Sequence, residues 1–121
     1  MIVTVRITKN FKNAVKPLLR KYPSLQKDLL NLEKELISNP KLGSHLGHNA
    51  YKIRLKIASK GKGKSGGARV ISLLESTMIA DVDVNEGNVT VNLITIYDKS
   101  NTATITDKEL KDLIRSFYSE E

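Results

Sequence analysis

The chain has 121 residues, with 20 lysines and arginines against 13 aspartates and glutamates, and its formal net charge is +7. This length favours a single domain over residues 1–121, and the absence of cysteine excludes disulfides, thiolate metal sites and cysteine nucleophiles. No stretch approaches the ~20 apolar residues of a membrane helix, and the N-terminus does not resemble a signal peptide, so we expect a cytoplasmic protein without membrane partners.

The first third of the chain is predicted to form one strand and two helices. Residues 2–7 alternate between apolar and polar side chains, which is the period of a half-buried strand. Apolar residues between positions 11 and 22 follow helical spacing around Pro17, a residue able to kink a helix. Ser24 is placed to cap a second helix. The apolar face of that helix is formed by Leu25, Leu29, Leu32 and Leu36.

The middle of the chain is predicted to contain a loop, a strand and a second loop. Residues 41–49 contain two glycines and are expected to form the first loop. Residues 51–57 alternate as a strand. One face of that strand carries three cations, which are Lys52, Arg54 and Lys56. Residues 60–67 form a loop rich in glycine and lysine, but it lacks the earlier glycine and the following helix that a nucleotide-binding P-loop needs.

The last third of the chain completes an α+β pattern. Strands are predicted at residues 69–74, 78–84 and 89–97. Thr106 and Glu109 match a capping box at the start of a final helix. Because consecutive strands joined by short turns favour antiparallel pairing, we expect an antiparallel sheet of four to five strands. Two N-terminal helices would pack on one face of it, and a C-terminal helix would follow.

Positive charge is concentrated in one part of the sequence. Residues 37–73 contain no acidic residue and eight basic ones, so the rest of the chain, with 12 basic and 13 acidic residues, sums to −1. Such a cluster repels itself and is most easily tolerated in contact with a polyanion. The sequence therefore predicts a nucleic-acid partner.

Three segments carry a more specific signal. They read Tyr-Lys-Ile-Arg-Leu at residues 51–55, Gly-Lys-Ser-Gly-Gly-Ala-Arg-Val-Ile at 63–71, and Ile-Tyr-Asp-Lys-Ser at 96–100. Together they resemble the RelE/ParE superfamily of bacterial toxins, and within it the HigB-like branch. The predicted order of elements also agrees with a RelE-like fold over nearly the whole chain.

The resemblance implies a toxin of a type II toxin–antitoxin system. Most such toxins are endoribonucleases, or mRNA interferases, that cut mRNA in the ribosomal A site without a metal or another cofactor and so inhibit translation. A cognate protein antitoxin, here expected to contain a helix-turn-helix, binds the toxin and silences it. A minority of the superfamily inhibits DNA gyrase instead.

Residue-by-residue matching to the family assigns four candidate catalytic positions. Arg69 matches the family's phosphate-binding arginine, and Lys99 matches a second basic catalytic position. Lys52 and Arg54 match a basic pair on the preceding strand. Several members also carry a catalytic tyrosine after the last strand, where residues 101–106 of this chain contain none.

The chemistry of metal-independent RNA cleavage constrains the roles of these residues. Attack by the 2′-hydroxyl needs a base, an acid for the leaving oxygen, and stabilisation of the phosphorane-like transition state. Arg69 suits the last role because its planar guanidinium binds two phosphate oxygens at once. Lys52 is the candidate base, since crowded cations favour a neutral lysine, and Lys99 or Lys64 is the candidate acid. The residues predicted to bind RNA are Lys56, Lys62, Lys64 and Tyr97.

Two alternatives remain open at this point. His45 and His48 form a second candidate acid–base pair, because histidine titrates near neutrality. The chain could also be a non-catalytic binder, either a ParE-type gyrase inhibitor or a ribosome-associated RNA-binding protein. Clustered Arg69 and Lys99 would favour the nuclease, since a gyrase inhibitor needs no converging phosphate site.

Overall fold

The computed structural model describes residues 2–61, 63, 66–77, 87–99 and 104–119. In chain order the elements are β1 (Ile2–Ile7), α1 (Lys9–Lys21), α2 (Leu25–Ser38), β2 (Ser44–Gly47), β3 (Ala50–Leu55), a 3₁₀ helix (Ala58–Lys60), β4 (Ala68–Thr77), β5 (Asn88–Asp98) and α3 (Asp107–Ser119). The strand predicted at residues 78–84 lies outside the described residues. None of the described helices is long and apolar enough to span a membrane.

The strands form one five-stranded sheet in the order β1-β5-β4-β3-β2. The predicted α+β class, with two N-terminal helices and one C-terminal helix, is confirmed. β2 to β5 pair antiparallel as expected, but β1 pairs with β5 in parallel, so the sheet is mixed. The difference has a topological reason, because short turns impose antiparallel pairing only on strands that are consecutive in the chain.

α1 covers the part of β5 that β1 does not reach. The β1–β5 pairing ends at Leu93. The hydroxyl of Thr8 donates to the Leu93 carbonyl (2.9 Å), and Nδ2 of Asn10 donates to the Ile94 carbonyl (2.8 Å). These bonds satisfy part of an otherwise open strand edge. The Thr8 hydroxyl also accepts the N–H three residues later (3.2 Å), which is an N-cap bond, and the helix then continues through Pro17.

Ser24 precedes α2 as predicted, but its side chain does not cap the helix. Its hydroxyl instead donates to Oδ2 of Asp28 (2.7 Å) and accepts the N–H of Ser59 (2.8 Å). The same Asp28 oxygen accepts the N–H of Ala58 (3.1 Å). Ser24 and Asp28 therefore hold the 3₁₀ helix against the start of α2.

Apolar side chains cover both faces of the sheet. The face that packs against α1 and α2, here the α1–α2 face, includes the buried residues Phe11, Leu25, Leu36, Val70, Val91 and Ile96. The opposite face, here the α3 face, includes Ala50, Ile71, Leu73, Ile94, Leu110 and Phe117. Each fully buried valine, leucine, isoleucine or phenylalanine side chain contributes about 1.5–3 kcal/mol, so the two clusters fix the sheet between the helices.

The segment at residues 41–49, predicted as a loop, contains the short edge strand β2. β2 joins β3 through a tight turn in which His48 and Asn49 have φ angles of +55° and +62°. Two consecutive residues with positive φ are typical of a type I′ hairpin turn. The loop prediction was wrong because Leu46 is the one large apolar residue of this strand, so its sequence shows no alternation.

The capping box at the start of α3 is confirmed. The N–H of Thr106 donates to Oε1 of Glu109 (3.1 Å), and the N–H of Glu109 donates to the Thr106 hydroxyl (3.1 Å). The backbone bond from Thr106, and after it the bond with the Thr106 side chain, lowers the pKa of Glu109 below its ordinary value. The first turn of α3 is therefore closed at neutral pH by an ionised carboxylate.

Candidate nucleic-acid interface

Three predicted site residues form one row across the sheet. The β3–β4 register pairs Arg54 with Arg69, and the β4–β5 register pairs Arg69 with Tyr97. Residues paired in this way have side chains on the same face, with Cβ atoms about 4.5–5.5 Å apart. Ile71, two residues after Arg69, belongs to the cluster under α3, so the row lies on the α3 face. We call Arg54, Arg69 and Tyr97 the cross-strand row.

Lys52 and Lys99 lie next to this row on opposite sides. Lys52 is two residues before Arg54 on β3, so it shares the same face at about 6.6 Å along the strand. The N–H of Lys99 donates to the Gly67 carbonyl (3.1 Å), which extends the β4–β5 pairing by one bond. Lys99 is thus a diagonal neighbour of Arg69, a relation that spans about 7–8 Å. The backbone brings all four predicted catalytic positions onto neighbouring strands.

The cations of the site differ in their exposure to solvent. Arg69 is 6% exposed, whereas Lys52 is half-buried and Arg54 is exposed. Nη1 of Arg69 donates to the Ala68 carbonyl (3.2 Å), which holds the guanidinium against the backbone. Because charges interact more strongly where water is excluded, Arg69 is suited to hold a phosphate in place, while Arg54 is suited to attract one.

The predicted RNA-binding lysines are not gathered at the row. Lys56 follows the end of β3 and is exposed. Together with Arg54 it lines a cavity of about 170 Å³ beside α2, whose lining also includes Asp28 and Glu35. Two carboxylates therefore lie near Lys56. Lys62 and Lys64 lie outside the described residues.

Tyr97 belongs to the row by register and also lines a second cavity. This cavity, of about 670 Å³, lies between α1 and α3, and its lining includes Asn10 and Glu109. The Tyr97 hydroxyl is buried and has no hydrogen-bond partner among the described residues.

The two histidines lie apart from the row. β2 pairs His45 with Tyr51, and their ring centroids are 5.0 Å apart. Tyr51 precedes Lys52, and adjacent residues of a strand point to opposite faces, so His45 lies on the other face from the candidate lysine base. His48 is an exposed residue of the hairpin turn. This geometry does not favour the histidine pair as the acid and base of the site.

A buried charge network was missed by sequence reasoning. Asp98 is 3% exposed. Its Oδ2 accepts a hydrogen bond from the Tyr22 hydroxyl (2.5 Å), and its Oδ1 accepts one from Nζ of Lys60 (2.7 Å). One signal was present in the sequence, because Asp98 is the only acidic residue between positions 87 and 106. Its partners, 76 and 38 residues away, cannot be inferred from spacing.

A further surface lies on the opposite side of the sheet. An open groove of about 530 Å³ runs between α1 and α2, over Val5, Ile7 and Leu93. Its walls include Leu19 and Leu30, which are 40% and 54% exposed. We call this the apolar groove.

Exposed cations flank both walls of the apolar groove. On α1, Lys12 lines the groove, and Lys9 and Lys16, three residues before it and four after it, lie on the same side of the helix. The exposed cations of α1 and α2 are Lys9, Lys12, Lys16, Arg20, Lys21, Lys27 and Lys34. Glu33 is the one acidic residue of its lining, so the groove combines an apolar floor with positive edges.

The sequence matches no protein-family model, and no curated protein matches it either. Function must therefore be inferred from the residues themselves. The cross-strand row, the charge distribution and the three segments that resemble RelE-like toxins are the observations available for this purpose.

Proposed function

We propose that the protein is the toxin of a type II toxin–antitoxin system, a RelE-like endoribonuclease of the HigB-like branch that cuts mRNA on the ribosome without a metal ion. The cross-strand row carries this proposal. Arg54 and Arg69 are directly paired across two strands, so their side chains lie on the same face of the sheet. Two neighbouring guanidinium groups suit an anion such as a phosphodiester, because each can bind two phosphate oxygens at once.

The proposed reaction is a transfer within the RNA. The 2′-hydroxyl attacks the adjacent phosphorus, a cyclic 2′,3′-phosphate forms, and the bond to the 5′-oxygen breaks. Lys52 takes the proton from the 2′-hydroxyl, and Lys99 gives a proton to the 5′-oxygen. Arg69 binds the non-bridging oxygens as their negative charge increases, and Arg54 orients the strand. Strand-borne positions suit these roles because small misplacements are costly in rate.

The proposed partners are the ribosome, mRNA and a cognate antitoxin, and all of them imply action in the cytoplasm. The apolar groove supports the proposal of an antitoxin partner, because its exposed leucines and flanking lysines complement a segment with one apolar and one acidic face. An acidic amphipathic helix of the helix-turn-helix antitoxin is the occupant that we propose. Its binding would cover Leu19 and Leu30 and pair with the cations on either side.

Cleavage by the purified protein tests the enzymatic part of this proposal. Ribosomes programmed with a defined mRNA are incubated with the protein in the presence of EDTA, and cut ends are mapped by primer extension. We expect cleavage that requires the ribosome and survives EDTA. Arg69→Ala should lower the rate about 10³-fold, as expected when a donor to the transition state is removed.

Arg115→Ala is the matched control for Arg69→Ala. Arg115 is an exposed arginine of α3 that pairs with Asp112 (3.6 Å), so its loss should leave cleavage unchanged. Circular dichroism of both variants shows whether they fold. Cleavage by folded Arg69→Ala at the wild-type rate would remove Arg69 from the site. Intact mRNA together with inhibited gyrase supercoiling would instead identify a ParE-type inhibitor.

A further inference from the structure

We infer that Tyr22, Lys60 and Asp98 form a buried positioning unit that holds the 3₁₀ helix and the end of β5, and with them Lys99 and Arg69, in the geometry that cleavage requires. The inference rests on the proposed nuclease function. It assigns no contact with RNA to the three residues. Their role is to set where the residues that do contact RNA are held.

Two hydrogen bonds and one cation–π contact join the three residues of the unit. Both carboxylate oxygens of Asp98 are used, one by the Tyr22 hydroxyl at 2.5 Å and one by Nζ of Lys60 at 2.7 Å. The Lys60 and Asp98 side chains are 9% and 2% exposed. Nζ of Lys60 also lies 5.6 Å from the centre of the Tyr22 ring, within the range of a cation–π contact. Each member of the unit therefore contacts both of the others.

These three residues end three different elements. Tyr22 is the C-cap of α1, Lys60 is the last residue of the 3₁₀ helix, and Asp98 is the last residue of β5. Asp98 is paired with Ala68, the residue before Arg69, and it is followed by Lys99. A shift of Asp98 would therefore displace both Arg69 and Lys99.

The unit lies on the opposite face of the sheet from the cross-strand row. Tyr97 contacts the cluster under α3, whereas Tyr22 belongs to the cluster under α1 and α2. Since adjacent strand residues alternate between faces, Asp98 supports the strand end from behind. This placement is why we assign the unit a positioning role rather than a catalytic one.

Stability alone is a weak explanation for such a unit. Removing water from a carboxylate and an ammonium costs about as much as their attraction returns, and apolar replacements of a buried ion pair are often neutral or stabilising. A buried pair does, however, restrict the arrangements that its neighbours can adopt, because any arrangement that separates the charges is strongly disfavoured. Positional restriction is therefore the property to test.

The test separates stability from position. Asp98→Asn removes the carboxylate charge that pairs with the buried Lys60 ammonium, so it should lower both the thermal midpoint and cleavage. The triple variant Tyr22→Phe, Lys60→Met and Asp98→Leu removes the whole unit and should recover the midpoint. We expect the triple variant to cleave about 10²-fold more slowly than the wild type, with the loss in kcat and the KM for ribosomes nearly unchanged. Wild-type cleavage by the folded triple variant would overturn the inference.

Hydrogen exchange gives a second readout that does not depend on cleavage. The N–H groups of Gly61 and Lys99 are bonded to the carbonyls of Ala58 and Gly67. In the triple variant these two amides should exchange at least about tenfold faster, as in a locally opened segment, while the amides within α3 keep their wild-type rates. Unchanged exchange at both amides would also overturn the inference.

The two readouts keep this inference apart from the proposed function. If the wild type does not cut RNA but exchange at Gly61 and Lys99 rises in the triple variant, the nuclease proposal fails and the structural role of the unit stands. The control removes an exposed ion pair of the same chemistry, in which Nζ of Lys111 lies 3.0 Å from Oδ2 of Asp107. Their side chains are 54% and 67% exposed. Lys111→Met with Asp107→Asn should leave cleavage and both exchange rates unchanged.

Discussion

The cross-strand row and the apolar groove both carry positive charge, but they present it differently. In the row, Arg54 and Arg69 are fixed in register on adjacent strands, and Arg69 is 6% exposed. Around the groove, the cations are exposed residues of α1 and α2 that flank leucines. A buried arginine in register with a second arginine suits a small anion held in one geometry, whereas exposed cations beside an apolar floor suit a protein segment.

Among substitutions at the apolar groove, the largest effect is expected from Leu30→Glu. Leu30 is 54% exposed and lines the groove, so the substitution should leave the fold intact while placing a charge against the apolar face of the proposed antitoxin helix. We expect antitoxin affinity to fall about 100-fold, as at an interface hot spot, with cleavage unchanged. Isothermal titration with the product of the adjacent reading frame measures the affinity.

Asn31→Glu is the matched control for Leu30→Glu. It adds the same charge one residue later, on the side of α2 that lines the cavity next to β3. Its antitoxin affinity should stay within a few-fold of the wild type. Equal losses for both variants would show that charge alone, rather than the groove, governs binding.

Gly67→Ala should disturb the row and spare the groove. A Cβ at position 67 would lie 2.0 Å from the Leu55 carbonyl oxygen, so the start of β4 would have to move away from the end of β3. We expect the free energy of unfolding to fall by about 2 kcal/mol, measured by urea titration. Gly63→Ala, where the Cβ meets open space at a φ of +64°, should cost about 1 kcal/mol. A Gly67→Ala variant as stable as Gly63→Ala would contradict this account.

Much of the fold follows from local patterns, and what does not is set by tertiary pairing. Alternation predicted β1 and β3, and the capping box at Thr106 marked the start of α3. β2 was missed because Leu46 is its one large apolar residue, so it shows no alternation. The parallel pairing of β1 depends on how the α1–α2 pair returns the chain to the sheet, which no local pattern encodes.

In the candidate site, too, local sequence patterns predict some features and tertiary pairing sets the rest. Alternation alone places Lys52 and Arg54 on one face of β3. Their meeting with Arg69 and Tyr97 depends on the strand register, which the sequence does not specify because several registers would bury equivalent apolar residues. The buried unit around Asp98 was beyond reach for a further reason, since its three members come from elements that are distant in the chain.

A smaller effect is expected from Arg54→Ala. Arg54 is exposed, so its contact with phosphate is screened by water and salt. We expect cleavage to slow about tenfold, equivalent to about 1.4 kcal/mol, and to depend less on salt concentration. Arg20→Ala, which removes an exposed cation of α1 next in sequence to the groove residue Leu19, should instead weaken binding of the proposed antitoxin and leave cleavage unchanged. Loss of antitoxin binding in Arg54→Ala together with loss of cleavage in Arg20→Ala would mean that the row binds the antitoxin and the groove binds RNA.

The smallest effect lies outside both regions, at the capping box of α3. The bonds with Thr106 lower the pKa of Glu109 in the folded state. The ionised carboxylate therefore stabilises the folded state at pH values above the ordinary carboxyl pKa of 4.5. This contribution is lost as the pH falls through the lower pKa of the folded state. Glu109→Gln keeps an acceptor for the Thr106 N–H but has no charge. It should therefore be slightly less stable than the wild type at pH 7. The difference in urea midpoint should shrink as the pH falls below 4.5 and vanish once the pH is below the lowered folded pKa. A difference in urea midpoint that persists at low pH would mean that the glutamine amide disrupts the capping box itself. A change in cleavage or antitoxin binding at pH 7 would mean that the first turn of α3 supports the cross-strand row or the apolar groove.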